Sequence, residues 1–206
     1  RPALALIDLG ITRGDFDSAL TIAKQLTSKY SDQAPLMIPL GRVYLAMGDR
    51  ASAQQTLRNA ARIAGYDAPL QVQIGRLLLA AVHPDGAAFC AQMALQAKPD
   101  DEAALALQAE TETVRNDAAR ADAALKTLAT KYPSGVAVAL TSANIAMARG
   151  QYGAAATAYR QALNRQPSSA TAISVVQAHM AAGEPGKAIA FLDGWLKGHA
   201  EDRTAL

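Results

Sequence analysis

A single cysteine, a single tryptophan and three histidines stand among 206 residues. Cys90 alone excludes an intrachain disulfide and any cysteine-rich zinc site. Aromatic residues make up only 5% of the chain, which leaves few flat side chains to stack on sugars or bases. Twenty Lys and Arg face eighteen Asp and Glu, a balance that excludes a strongly basic nucleic-acid module. No apolar run approaches the ~20 residues that span a bilayer. Half of the residues are hydrophobic, too many for a disordered chain of net charge +2. Alanine dominates, with 48 copies. This composition implies an Ala-rich, all-helical protein, long enough to bury a core without disulfide or metal staples.

Signs of catalysis are equally scarce. His83, His179 and His199 stand at no metal-ligand spacing with each other, with Cys90 or with a carboxylate pair. No phosphate-loop or dinucleotide pattern occurs. Asp100-Asp101-Glu102 follows Pro99 at a helix start, where acids complement the helix dipole, so capping is the expected role. Cys90 has no cation near it in sequence and reads as an inert, packed thiol. The expectation is therefore a protein that is not an enzyme and that uses no cofactor and no metal.

What the sequence does contain is a repeat. Gly14, Gly48, Val82, Asn116, Gly150 and Gly183 occupy one frame, in steps of 34 residues and a last step of 33. Ala19, Ala53, Ala87, Ala121, Ala155 and Ala188 keep the same steps, and Pro99, Pro133 and Pro167 are again 34 apart. Between successive glycines lie two stretches of helical periodicity, such as Leu40, Val43, Tyr44 and Met47, then Ala53, Leu57 and Ala60. The glycine position ends a first helix in a left-handed residue, for which Asn116 is the next most tolerant type. Asp15 and Asp49 are placed to cap the second helix, and the prolines stop it. The alanine series marks a close helix crossing, with Gly41, Gly75, Ala109 and Ala143 as its small counterparts on the first helix. Ile7 and Val176 break that second series. At Val82-His83-Pro84-Asp85-Gly86 the turn residues change, so an altered turn is expected there.

These series resemble the tetratricopeptide repeat, a 34-residue helix-turn-helix unit. The resemblance spans the chain as a single array over residues 1–206, with repeats at about 1–33, 34–67, 68–101, 102–135, 136–168 and 169–201. Gly150-Gln151-Tyr152, Ala155, Tyr159, Ala162 and Pro167 fit the family pattern best. The resemblance implies an all-α fold, a right-handed superhelical solenoid of about six repeats whose first helices line a concave groove. The first and last residues, Arg1-Pro2-Ala3-Leu4 and Glu201-Asp202-Arg203-Thr204-Ala205-Leu206, read as cut from a longer array. Phe191, Leu192 and Trp195 are then expected to expose apolar surface and to favour weak self-association.

Laid onto the repeats, the inner-face positions of the family give a polar ladder of Asp8, Arg42, Arg76, Glu110, Asn144 and Gln177. One flanking row reads Leu4, Ile38, Val72, Ala106, Leu140 and Ile173. The other reads Ile11, Leu45, Leu79, Thr113, Met147 and Met180. Arg42 and Arg76 stand on adjacent repeats, where two guanidinium groups can hold a carboxylate or another anion. Each arginine can instead pair with a neighbouring acid, and the apolar rows can be covered by neighbouring helices. If exposed, those rows offer a surface to a partner helix or extended peptide, which Met147 and Met180 make adaptable. Protein or peptide partners in this groove are expected, and nucleic acid is not. The lysine and asparagine clamp of chaperone-binding family members is absent, since only Asn144 is of the right type.

A narrower resemblance rests on Tyr159-Arg160-Gln161-Ala162-Leu163, Pro167-Ser168-Ser169-Ala170 and Phe191-Leu192-Asp193-Gly194-Trp195-Leu196-Lys197-Gly198-His199. These segments, and Leu26-Thr27-Ser28-Lys29-Tyr30, are similar to the bacterial tetratricopeptide lipoprotein of the PEP-CTERM and exosortase exopolysaccharide system. Ala200 stands where that family often has a proline. The resemblance implies a scaffold in the cell envelope, facing the periplasm, held to the membrane only by a lipid on an N-terminal cysteine absent from this sequence. The alternative is a cytoplasmic regulatory or targeting domain of a larger enzyme, such as a glycosyltransferase. A third reading, an array binding an anionic glycan, ranks last because the groove has few aromatics.

Overall fold

The computed structural model describes residues 2–199. Every regular element among them is a helix. In chain order these are α1 (Pro2–Arg13), α2 (Phe16–Lys29), α3 (Ala34–Ala46), α4 (Arg50–Ala64), α5 (Ala68–Ala80), α6 (Pro84–Ala97) and α7 (Glu102–Val114). They continue with α8 (Ala118–Lys131), α9 (Val136–Ala148), α10 (Tyr152–Arg165), α11 (Ser169–Ala181) and α12 (Pro185–Gly198). Helix pairs fall within the expected repeats, and α6, α8 and α10 each stop two residues short of Pro99, Pro133 and Pro167. The chain forms two compact units, Arg1–Arg115 and Asn116–Leu206. The first holds α1 to α7 and the second α8 to α12, so the boundary falls at the turn inside the fourth repeat.

The turn between the two helices of a repeat is built the same way in each unit. Gly14, Gly48, Val82, Asn116, Gly150 and Gly183 all take positive φ. In the first repeat the Gly14 amide donates to the Ile11 carbonyl and the Asp15 amide to that of Gly10. This hydrogen-bond pair, which closes a helix through a left-handed residue, recurs at Gly48 and Asp49, at Gly150 and Gln151, and at Gly183 and Glu184. Asp15, Asp49 and Asp117 then cap the second helices, accepting from the amides of Ser18, Ser52 and Arg120. Hydrogen bonds from Ser52 hold the Asp49 carboxyl below the usual carboxylate range.

The third repeat corrects the expectation of an altered turn. Its backbone is that of the others: the Val82 amide donates to the Leu79 carbonyl and the His83 amide to that of Leu78. Only the chemistry has changed. His83 Nδ1 accepts the Gly86 amide at 2.9 Å and does the work of the capping aspartate. Val82, β-branched, is held at φ 58° by these bonds, a conformation that costs an L-residue roughly 1–2 kcal/mol. Val82→Gly should therefore stabilise the first unit by about 0.5–1 kcal/mol, after allowing for the extra freedom glycine has when unfolded. A urea denaturation midpoint that moves down, not up, would contradict this account of the turn.

The alanine series explains the packing. Ala19, Ala53, Ala87, Ala121 and Ala155 are fully buried and Ala188 nearly so. A Cβ added at Gly10 would lie 2.9 Å from the Ala19 Cβ, and one at Gly41 would lie 2.7 Å from Leu57 Cδ2. Small residues thus let α1 and α2 cross closely, and Gly41 leaves room on α3 for the Leu57 side chain. The core of the first unit joins Met37 and Ile38 to Leu57, Ala60, Ile74, Leu78, Cys90 and Leu107. In the second unit one cluster joins Ala143, Ala155, Tyr159 and Val175, and another joins Leu163, Ala172 and Trp195. Trp195 is only 9% exposed, and Phe191 and Leu192 are half-buried. The expected apolar opening is corrected at Trp195, while Phe191 and Leu192 keep part of their surface open. The indole is covered by its own repeat and the one before, and His199 stacks on it at 3.6 Å between ring centroids.

Candidate interaction surface

In the first unit, Asp8, Arg42 and Arg76 project from three successive first helices, α1, α3 and α5, because each lies one repeat length beyond the last. All three are exposed. Arg42 Nη1 donates to Asp8 Oδ1 at 2.7 Å. The pair is open to solvent, so it is worth no more than about 1 kcal/mol and yields readily to a competing carboxylate. Arg76 makes no hydrogen bond or ion pair among the described residues. Arg42 and Arg76 share an open hollow of about 390 Å³ whose other walls are Pro69, Val72, Gln73 and Leu77. Glu110, next on the ladder, is half-buried on α7.

The flanking rows divide. Ile38, Val72 and Ala106 are buried, so in the first unit that row belongs to the stack and offers a partner little surface. Leu45 and Leu79 are half-buried against the core and keep one side open. In the second unit, Asn144 accepts a hydrogen bond from the Tyr159 hydroxyl at 2.7 Å, which ties it to α10. Gln177 and Met180 are exposed, and Met147 is half-buried. Sequence reasoning brought the two arginines together but missed Gln73, Pro69 and Leu77 beside them. Gln73 lies three residues before Arg76, one helical turn away on the same face, and that spacing was the available signal.

The remaining candidates have structural roles. Burial pushes the Cys90 thiol up to about 12, far from a reactive thiolate. Asp101 caps α7 by accepting the Ala104 amide at 3.0 Å and pairs with Lys98. His179 Nδ1 lies 3.0 Å from Glu184, whose carboxyl is held low by hydrogen bonds from Lys187 and His179. With His83 capping α6 and His199 stacked on Trp195, each histidine is engaged in local structure. No group of three or more His, Cys, Asp or Glu among the described residues is arranged to hold a metal ion. No described helix is long and apolar enough to cross a membrane.

The family profile of the tetratricopeptide repeat matches residues 11–65 and 146–206, together more than half of the chain. This chain belongs to the tetratricopeptide repeat family. Solved structures agree with that fold. PilW, described as a widely conserved type IV pilus biogenesis factor, matches with a TM-score of 0.59 at 16% identity, over 98% of this chain and 94% of that one. The pilF protein of Pseudomonas aeruginosa matches with a TM-score of 0.56 at 14% identity, over 99% and 93% of the two chains. A tetratricopeptide repeat protein from Parabacteroides merdae gives 0.56 at 14%, over 95% and 78%. At these identities the likeness is one of fold. No curated protein matches the tetratricopeptide chain described here at a significant level.

Proposed function

We propose that the protein is a non-catalytic scaffold that binds an extended, acid-bearing segment of a protein partner along its first helices. The carrying observation is the hollow between Arg42 and Arg76, where an unpaired guanidinium stands beside apolar walls from Val72 and Leu77. A carboxylate can take two arginines there and displace the weak Asp8 contact, while aliphatic side chains of the partner cover the open sides of Leu77 and Leu79. Met180 and Gln177 offer the second unit a softer, more adaptable patch.

The setting we propose is the bacterial cell envelope, in exopolysaccharide export or PEP-CTERM protein sorting. What supports it is the similarity of the Tyr159–Leu163 and Phe191–His199 segments to the lipoprotein of that system. The test is affinity capture with this array as bait, from solubilised envelope and from cytosol in parallel. Envelope polysaccharide-export or sorting proteins retained from the first extract are the expected result. Retention of cytosolic enzymes alone, a glycosyltransferase for example, would overturn the envelope setting and favour a regulatory domain.

A further inference from the structure

The repeat register leaves apolar side chains open on α1 and α12 at positions that are buried between successive repeats elsewhere in the chain. Leu40 and Val43 of α3 are buried in a cluster with Ala19 and Ala23 of α2, the second helix of the preceding repeat. Val175 and Ala178 of α11 are buried in the same way with Ala155, Ala156 and Tyr159 of α10. Counting back by the repeat, these two positions in α1 are Leu6 and Leu9, which are 53% and 43% exposed. Counting forward, the positions of Ala156 and Tyr159 fall in α12 on Ile189 and Leu192. Ile189 is 61% exposed and Leu192 half-buried. So α1 carries the first-helix half of the contact that stacks one repeat on the next, and α12 carries the second-helix half.

We infer that a second copy of this chain docks head to tail, seating its Ile189 and Leu192 on Leu6 and Leu9. The occupant follows from the register: the chain already makes this contact internally, and each copy bears both complementary halves. The bulky Tyr159, opposite Val175 and Ala178, shows that the second-helix side accepts a large residue where α12 has Leu192. Leu6 and Leu9 on α1 and Ile189 on α12 leave large apolar side chains open to a partner. Such a contact is heterologous, so it adds copies head to tail, in a ring or an open series. One helix-pair contact is small, which sets a dissociation constant on the order of 100 μM.

Sedimentation velocity of the 206-residue chain, from about 1 μM to about 1 mM, tests this. The weight-average mass is expected to rise with concentration from the 21.5 kDa monomer to at least twice that value. Leu6→Asp removes one face and Ile189→Asp the other, so each variant alone stays monomeric. An equimolar mixture of the two retains one intact face of each kind and stops at a dimer. Both sites are exposed, and far-UV circular dichroism checks that both variants keep their helix content. Leu9→Asp serves in place of Leu6→Asp if that check fails. An Arg42→Glu, Arg76→Glu chain should associate like the original, which separates this contact from the proposed groove. A chain monomeric at every concentration, single variants that associate unchanged, or a mixture that fails to pair would each overturn the inference.

Discussion

Leu57→Ala should destabilise the first unit by about 2–5 kcal/mol, the cost of emptying a fully buried leucine site that neighbours cannot refill. Leu57 is wholly inaccessible and belongs to the core cluster that joins the second and third repeats, together with Ile74, Leu78 and Ala60. It also occupies the space that a side chain at position 41 would need, since a Cβ there would lie 2.8 Å from Leu57 Cγ. Gly41 and Leu57 are therefore one feature written at two places in the sequence. Gly41→Ala alone should destabilise, because the Leu57 head has nowhere to withdraw in a packed core. In the Leu57→Ala background the same change should be neutral or favourable, since alanine recovers about 1 kcal/mol of helix propensity and fills part of the void. Urea denaturation of the four proteins gives the coupling directly. Additive effects would contradict the packing described.

Much of this fold was legible because the constraints that write it are local and steric. A left-handed turn residue and a helix crossing at backbone distance admit few side chains, so Gly14, Gly48 and the Ala19 series recur visibly at the repeat length. Val82 was harder to read. Its residue type argues against positive φ, but the hydrogen bonds of Val82 and His83 to the end of α5 dictate the turn, and His83 supplies the missing cap. Capping by histidine has no strong sequence signal, so the change in residues looked like a change in backbone. Trp195 was misjudged for another reason, and the same reason left the row of Ile38, Val72 and Ala106 open between exposure and cover. Their exposure depends on how far the next helix leans over them, which periodicity does not record. The same blindness hid the exposure of Leu6, Leu9 and Ile189, which share register with buried residues.

The candidate site was legible in its charges and not in its depth. The steps from Asp8 to Arg42 to Arg76 place three charged groups on one face. The structure adds that Arg42 is already engaged by Asp8 while Arg76 is not. That asymmetry matters for binding. An incoming carboxylate meets Arg76 without competition and must share Arg42, so Arg76 should carry the larger part of the electrostatic affinity. Both groups are solvated, so the attraction weakens as salt screens it.

Partners are expected to bind along the first helices of the first unit through this arginine pair, and a titration tests it. The partner recovered by capture is titrated against the original chain and the Arg42→Glu, Arg76→Glu chain at low and at high salt. Reversal of both charges is expected to weaken binding at least about tenfold at low salt, a loss of roughly 1.4 kcal/mol or more. The difference should shrink as salt is raised, and Arg76→Glu alone should account for most of it. Equal affinity of the original and the charge-reversed chain at low salt would place the binding surface elsewhere on the repeats and contradict the account.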